Sequence, residues 1–313
     1  MIRVPGNISY LVVLILLSLT SKGQDAHYSN NYENLFKLNP SAIGTIKDMS
    51  LILTYRNQWP GAGNFVTYDA AFLTNFPRTK SFAGAYVSQD VQGKGAITQT
   101  QAAVLYTYKT RIGRRIEISA GLSGSYNLSR ININQLSFEN PSDVPPLLST
   151  KEQFLDFSSG FQINIYEQTS MGLAASHILN TAGNNKALKI TADYHGNYLI
   201  WGSRDYQYLS LDPLLLINRQ KEYSEIMIGT RFDYTGILGG LYIRQNFHLK
   251  PEDLTLLLGT NYKNFQIIYT YDINLSGAAS NFSNLAAHEV TFLYKFEYNN
   301  KIRRKGAIKC PDI

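Results

Sequence analysis

Cysteine is nearly absent: Cys310 alone occurs in the 313 residues, so no internal disulfide can form, and no Cys/Cys or Cys/His spacing points to zinc. Long apolar runs are missing too. The stretch Leu11–Leu19 is shorter than the roughly 18 residues that a membrane helix needs. Together with a mean hydropathy of −0.18, this excludes a bundle of such helices. Charge is sparse, 17% of residues against about 25% in soluble domains. Tyr, Phe, Thr, Ser, Asn and Gly stand where strong helix formers would be needed, which excludes long helices. What is there in quantity is aromatic, with 22 Tyr and 15 Phe. A β-rich, exported chain of one large domain or two small ones remains.

The N-terminus reads as a secretory signal over residues 1–23. Arg3 supplies the positive charge, Tyr10–Leu19 the apolar core, and Ser21-Lys22-Gly23 a small-x-small cleavage site before Gln24. No Cys lies nearby, which argues against a lipoprotein signal, and the shortness of the apolar core argues against an uncleaved anchor helix. The net charge of +6 is largely local: Lys301, Arg303, Arg304, Lys305 and Lys309 crowd residues 299–313 against Asp312. A basic tail is not a nucleic-acid footprint. It could meet lipid phosphates at the inner leaflet or an acidic periplasmic protein, or simply be solvated. Cys310, before Pro311, could be incidental or an attachment point.

From Met49 on, segments of about ten residues alternate with period two. In the last, Val290, Phe292, Tyr294, Phe296 and Tyr298 share one face, and Glu289, Thr291, Leu293, Lys295 and Glu297 the other. The same pattern runs through Phe265–Ile273, Ile116–Asn127, Leu241–His248 and Glu225–Tyr234. A sandwich and an outer-membrane barrel both alternate. The length of the segments, the aromatics near their ends (Tyr106 with Tyr108, Tyr206 with Tyr208) and the export signal favour the barrel. The fold class is all-β: a transmembrane up-and-down antiparallel β-barrel of about 14 strands over residues 49–298. An even count puts both termini on the periplasmic side of the outer membrane of a Gram-negative bacterium. Residues 24–48 precede it as an N-terminal periplasmic segment or partial plug, 129–151 form a long ordered loop or partial plug, and 299–313 are a basic periplasmic tail.

Nothing points to catalysis or to a cofactor. His27, His177, His195, His248 and His288 lack metal spacing. Ser176 and His177 are neighbours on a strand, so their side chains should point to opposite faces. There is no Gly-x-Ser-x-Gly elbow, and Gly93-Lys94-Gly95 lacks the spacing of a phosphate loop. Glu225, Arg231, Asp233, Arg244 and His248, on neighbouring strands, could form a lumen cluster, either a salt-bridge network that closes the pore or a selectivity filter.

More specific are Gln24-Asp25 with Tyr28-Ser29, then Leu38-Asn39-Pro40-Ser41-Ala42-Ile43-Gly44, then Tyr55-Arg56-Asn57-Gln58-Trp59-Pro60, and later Ser88-Gln89-Asp90-Val91-Gln92-Gly93-Lys94-Gly95. With His288-Glu289-Val290 and Lys309-Cys310-Pro311, these resemble the PorP/SprF family of type IX secretion system membrane proteins over the whole mature chain. Ser41 departs from the alanine usual there. The resemblance implies a non-enzymatic outer-membrane barrel of the type IX secretion or gliding apparatus. Its partners would be membrane lipid, the secretion machinery with an OmpA-like peptidoglycan-binding lipoprotein, and secreted or surface-anchored cargo such as adhesins. The alternative is a porin or hydrophobic-solute channel, and a barrel hydrolase would need a nucleophile and base on one lumen face. By their own physics, Pro60 ends a strand, Trp59 suits a membrane interface, and Arg56 is within reach of the carbonyls of the 39–44 turn. Asn39, Pro40, Arg56, Asn57, Gln58, Trp59 and Pro60 either fix the N-terminal segment to the barrel or form a docking surface, to which Arg303, Arg304, Lys305 and Cys310 add a second candidate.

Overall fold

The structure, a computed structural model, describes residues 27–60, 65–132, 150–179, 186–204, 206–276 and 286–296. Two short helical elements lead: helix α1 (Asn31–Leu38) and a 3-10 helix (Pro40–Thr45). The strands are β1 (Met49–Gln58), β2 (Phe65–Phe76), β3 (Ser81–Gln92), β4 (Ile97–Ile112), β5 (Ile116–Ile131), β6 (Thr150–Ile165), β7 (Thr169–Ser176), β8 (Lys189–Gly196), β9 (Tyr198–Gly202), β10 (Tyr208–Gln220), β11 (Tyr223–Tyr234), β12 (Ile237–Gln245), β13 (Pro251–Tyr262), β14 (Phe265–Asn274) and β15 (Ala287–Phe296).

Each strand pairs antiparallel with its neighbours, and β15 pairs back onto β1 in full register, Met49 opposite Phe296 and Gln58 opposite Ala287. The sheet is therefore a closed fourteen-stranded barrel. The fifteenth segment is not an extra wall strand. Strands β8 and β9 are one strand broken at Asn197, and both lie along the same edge of β10. Pro213 stands in β10 opposite that break, where neither partner pairs with it. A proline has no N–H to give a ladder and is at home at such an interruption.

The face assignment follows the alternation. Val104, Leu122 and Leu258, each more than 60% exposed, point outward, while Thr54, Arg56, Asp69, Asp156, Asp272 and Glu289 are buried inside. A surface so apolar and so extensive has hydrocarbon as its solvent. No helix among the described residues is long and apolar enough to cross a membrane, so the strands do the crossing. Strands β4, β5 and β6 have 16 residues each, more than the roughly 9–11 that cross a bilayer, so this hairpin series projects past the rim.

The two ends differ. At one, strands are joined by the tight connections 77–80, 113–115, 166–168, 235–236 and 263–264. At the other lie the long ones, 132–149, 177–188 and 275–286. Most of the expected 129–151 loop falls outside the described residues, and β5 and β6 extend to Ile131 and Thr150 at its edges.

The interior is not uniformly polar, which the strand patterns alone did not suggest. At mid-height it carries two buried apolar clusters. Ile52, Leu73, Phe82, Leu105 and Leu293 gather around Phe36 and Ile43. Leu214, Leu216, Met227, Leu257 and Ile268 gather around Leu35 and Ala42. In both, the central residues come from the segment before β1. The core of this protein is the contact between its wall and its own N-terminal stretch.

Candidate functional site

Residues 27–47 run down the lumen. His27 is at the long-connection end, its Nδ1 3.0 Å from Glu225 Oε2 near the start of β11. Lys47 is at the tight-turn end, 3.5 Å from Glu167. An even strand number does bring Met49 and Phe296 to one end, but the first described residue lies at the other.

Helix α1 has eight residues, too few for stability alone. Its wall contacts supply what propensity does not. Adjacent in sequence, Leu35 and Phe36 point to opposite apolar clusters, so the helix is wedged between two sides of the barrel. Its charges are met individually. Glu33 pairs with Arg231 at 2.9 Å, and Arg231 in turn with Asp212 at 2.8 Å. Lys37 lies 2.6 Å from Asp69. Burial pulls the Lys37 ammonium below its ordinary range, and the Asp69 carboxylate opposes that shift.

Asn39 ends α1 and starts the 3-10 helix. Its Oδ1 accepts from the Ser41 N–H at 3.1 Å and from the Ser41 hydroxyl at 2.5 Å, while its Nδ2 donates to Asp193 at 2.8 Å. Pro40 follows at the first helical position, where a missing N–H costs nothing, and its carbonyl accepts from the Thr107 hydroxyl at 2.7 Å. The wall makes room with glycine. A methyl group at Gly121 would overlap the Ser41 backbone, and one at Gly160 the Asn39 side chain.

Arg56 holds the other end of the segment. It does not reach the 39–44 turn, because its strand position puts it near the long-connection rim. Its guanidinium, buried, contacts the Ser29 hydroxyl, Asp272 at 3.0 Å and Glu289 at 3.4 Å. The Glu289 carboxylate also accepts from the backbone N–H groups of Ser29 at 2.7 Å and Asn30 at 3.1 Å. Arg56 thus shares both carboxylates with the segment.

The other expected residues divide. Asn57, Gln58, Trp59 and Pro60 sit at the rim, apart from this network. The Trp59 backbone N–H donates to the Ala286 carbonyl at 2.8 Å, and the Trp59 ring packs edge-on against Phe65. Arg303, Arg304, Lys305 and Cys310 lie outside the described residues. The expected single charged cluster is in fact dispersed among separate sites with different partners. Arg244 joins Glu225 at 3.3 Å and Asp253 at 3.1 Å and donates to the Tyr28 carbonyl at 2.9 Å, whereas Arg231 serves Glu33. Asp233 accepts from Tyr208, Asn261 and the Gly236 N–H, and His248 is exposed in the connection after β12.

Ser176 and His177 also depart from expectation. His177 lies past the end of β7 with a left-handed φ of 59°, so the chain turns and both side chains are buried beside one cavity. Its Nδ1 is 2.5 Å from Asp156.

The wall carboxylates Asp69, Asp193, Asp212 and Asp272 were not singled out in the sequence, and Glu289 stood there only on one face of the last segment and within the His288-Glu289-Val290 motif, with no partner assigned. The signal was available: acidic residues at inward positions in mid-strand demand counter-charges inside the barrel. Above the segment lies a cavity of about 260 Å³ bordered by Tyr28, Lys37 and His177. Below it, at the tight-turn end, lies one of about 940 Å³. Among the described residues no group of His, Cys, Asp and Glu could hold a metal ion.

Against known proteins, a family model described as "Type IX secretion system membrane protein PorP/SprF" matches residues 20–294. No curated protein matches. Among solved structures, the CymD monoaromatic hydrocarbon channel is 10% identical, with a TM-score of 0.47 and coverage of 86% of this chain and 93% of that one. The P. putida toluene transporter TodX is 7% identical, with a TM-score of 0.46 and coverage of 82% and 92%. The KdgM porin is 10% identical, with a TM-score of 0.41 and coverage of 79% and 99%.

Proposed function

The chain belongs to the type IX secretion system membrane protein PorP/SprF family, and from that premise we propose that it is a closed scaffold that anchors or helps export surface cargo and docks periplasmic machinery. The observation that carries this reading is the lumen segment. Residues 27–47 are fixed to the wall by buried ion pairs at Arg56, Lys37 and Arg231 and by two apolar clusters. A barrel filled this way offers surfaces and rigidity rather than an aqueous path.

Tight turns belong on the periplasmic side of such barrels and long loops outside, so the end bearing 113–115 and 166–168 faces the periplasm. Strand β15 ends at Phe296 on that side, and the basic residues Arg303, Arg304 and Lys305 follow it in sequence; on this reading they meet an OmpA-like peptidoglycan-binding lipoprotein or another machinery component. The long connections at the opposite end face the cargo.

The test is a pull-down of the tagged full chain from detergent-solubilised outer membrane, with and without residues 299–313. The scaffold reading expects machinery components with the full chain and their loss on truncation, with the barrel still folded. Unchanged co-purification removes the tail from docking. Stepwise conductance of the wild-type protein in planar bilayers overturns the closed scaffold in favour of a channel.

A further inference from the structure

The cavity at the tight-turn end, about 940 Å³, differs from a mere gap beneath the segment. Its floor is apolar, formed by Phe36, Ile43 and Ile46 from the lumen segment and by Leu73, Phe82 and Leu293 from the wall. Its mouth is basic: Lys47, Lys80, Lys109, Arg111 and Lys295 border it, against Asp48, Glu117 and Glu167. Glu33, deeper in, is engaged by Arg231.

Part of this charge is internally spent. Lys109 and Arg111 share Glu117 at 3.1 and 2.6 Å, and Lys47 reaches Glu167 at 3.5 Å. Lys80 and Lys295 are exposed and have no carboxylate within ion-pair distance among the described residues. Lys295 projects inward, sharing the face of Glu289, Thr291 and Leu293. Cations on the inner side of a rim border the lumen and not the surrounding bilayer, so lipid headgroups are poorly placed to reach them. The chain's own tail carries the same sign of charge and is repelled.

We infer that this mouth is a socket for a segment of a periplasmic protein that presents acidic residues flanking apolar side chains, the apolar ones seated on the Phe82–Ile46 floor. The inference rests on the docking reading above. It assigns docking to the mouth itself, where that reading had only the tail. Complementary charge would steer the segment in, and burial of its apolar groups would hold it.

The experiment uses the full chain in nanodiscs of zwitterionic lipid and a dye-labelled peptide alternating glutamate and leucine, followed by fluorescence anisotropy. Saturable binding is expected, weakened by added salt and weakened at least about tenfold by Lys80→Glu with Lys295→Glu. Lys94→Glu with Lys221→Glu, at the opposite end, should leave it unchanged, and so should deletion of 299–313. The variants' heat-modifiable migration on gels checks that the barrels are folded. Equal binding by wild type and the Lys80/Lys295 variant overturns the socket, as does equal binding of a lysine–leucine peptide. Loss of binding on tail deletion alone also overturns it, while leaving the docking role of the tail intact. Conversely, a socket that binds the peptide while the full chain brings no machinery out of the membrane would sink the docking reading and spare the site.

Discussion

Arg56 illustrates how much can hang on one side chain in a barrel interior. Its guanidinium neutralises Asp272 and Glu289, and the same carboxylates hold Ser29 and Asn30. Arg56→Ala leaves two buried anions without their cation, a loss of about 3–5 kcal/mol. The expected result is a lower urea midpoint in micelles, with Arg56→Lys falling between because an ammonium cannot fork to two acceptors. Asn39→Ala removes a helix cap and the partner of Asp193 together, a loss of about 1–3 kcal/mol by the same assay. Both residues stood out in the sequence, through the Asn39-Pro40 and Arg56–Pro60 motifs. The pairings did not, because the carboxylates that complete the sites are more than 150 residues away along the chain, and period-two alternation says which way a residue points but not what it meets.

At the scale of elements, the strands were legible and the lumen segment was not. Apolar and polar faces alternate so regularly that Phe265–Asn274 or Ala287–Phe296 could be oriented by inspection. Helix α1 has no comparable signature: it is short, and its adjacent Leu35 and Phe36 point to different walls. The fit depends on glycines in strands remote in sequence. Gly121→Val and Gly160→Leu should therefore press the Asn39–Ser41 stretch off the wall. The expected outcome is channel activity in planar bilayers where the wild type is silent, with a cysteine at Ser41 becoming reactive to a water-soluble maleimide in a Cys310→Ser background. Silence and an unreactive cysteine in both variants would mean that the segment tolerates the lost space.

The topology as a whole gives the ends separate identities. Closure of β15 on β1 was implied by the barrel assignment, and the fourteen-strand count followed from the hairpin spacing, with the β8–β9 break too small to detect. The path of the segment was not implied, since nothing in a strand pattern reveals which opening a preceding stretch enters. In intact cells, cysteines at Lys94 and at His27 should both react with a membrane-impermeant reagent, and one at Arg114 should not. Labelling of Arg114→Cys alone would invert the assignment of the two ends.

Where the first and last strands seal the cylinder, the leading stretch is enclosed along residues 27–47. Because His27 lies at the mouth bearing the long connections, an epitope fused just ahead of it is expected to report from that face of the membrane.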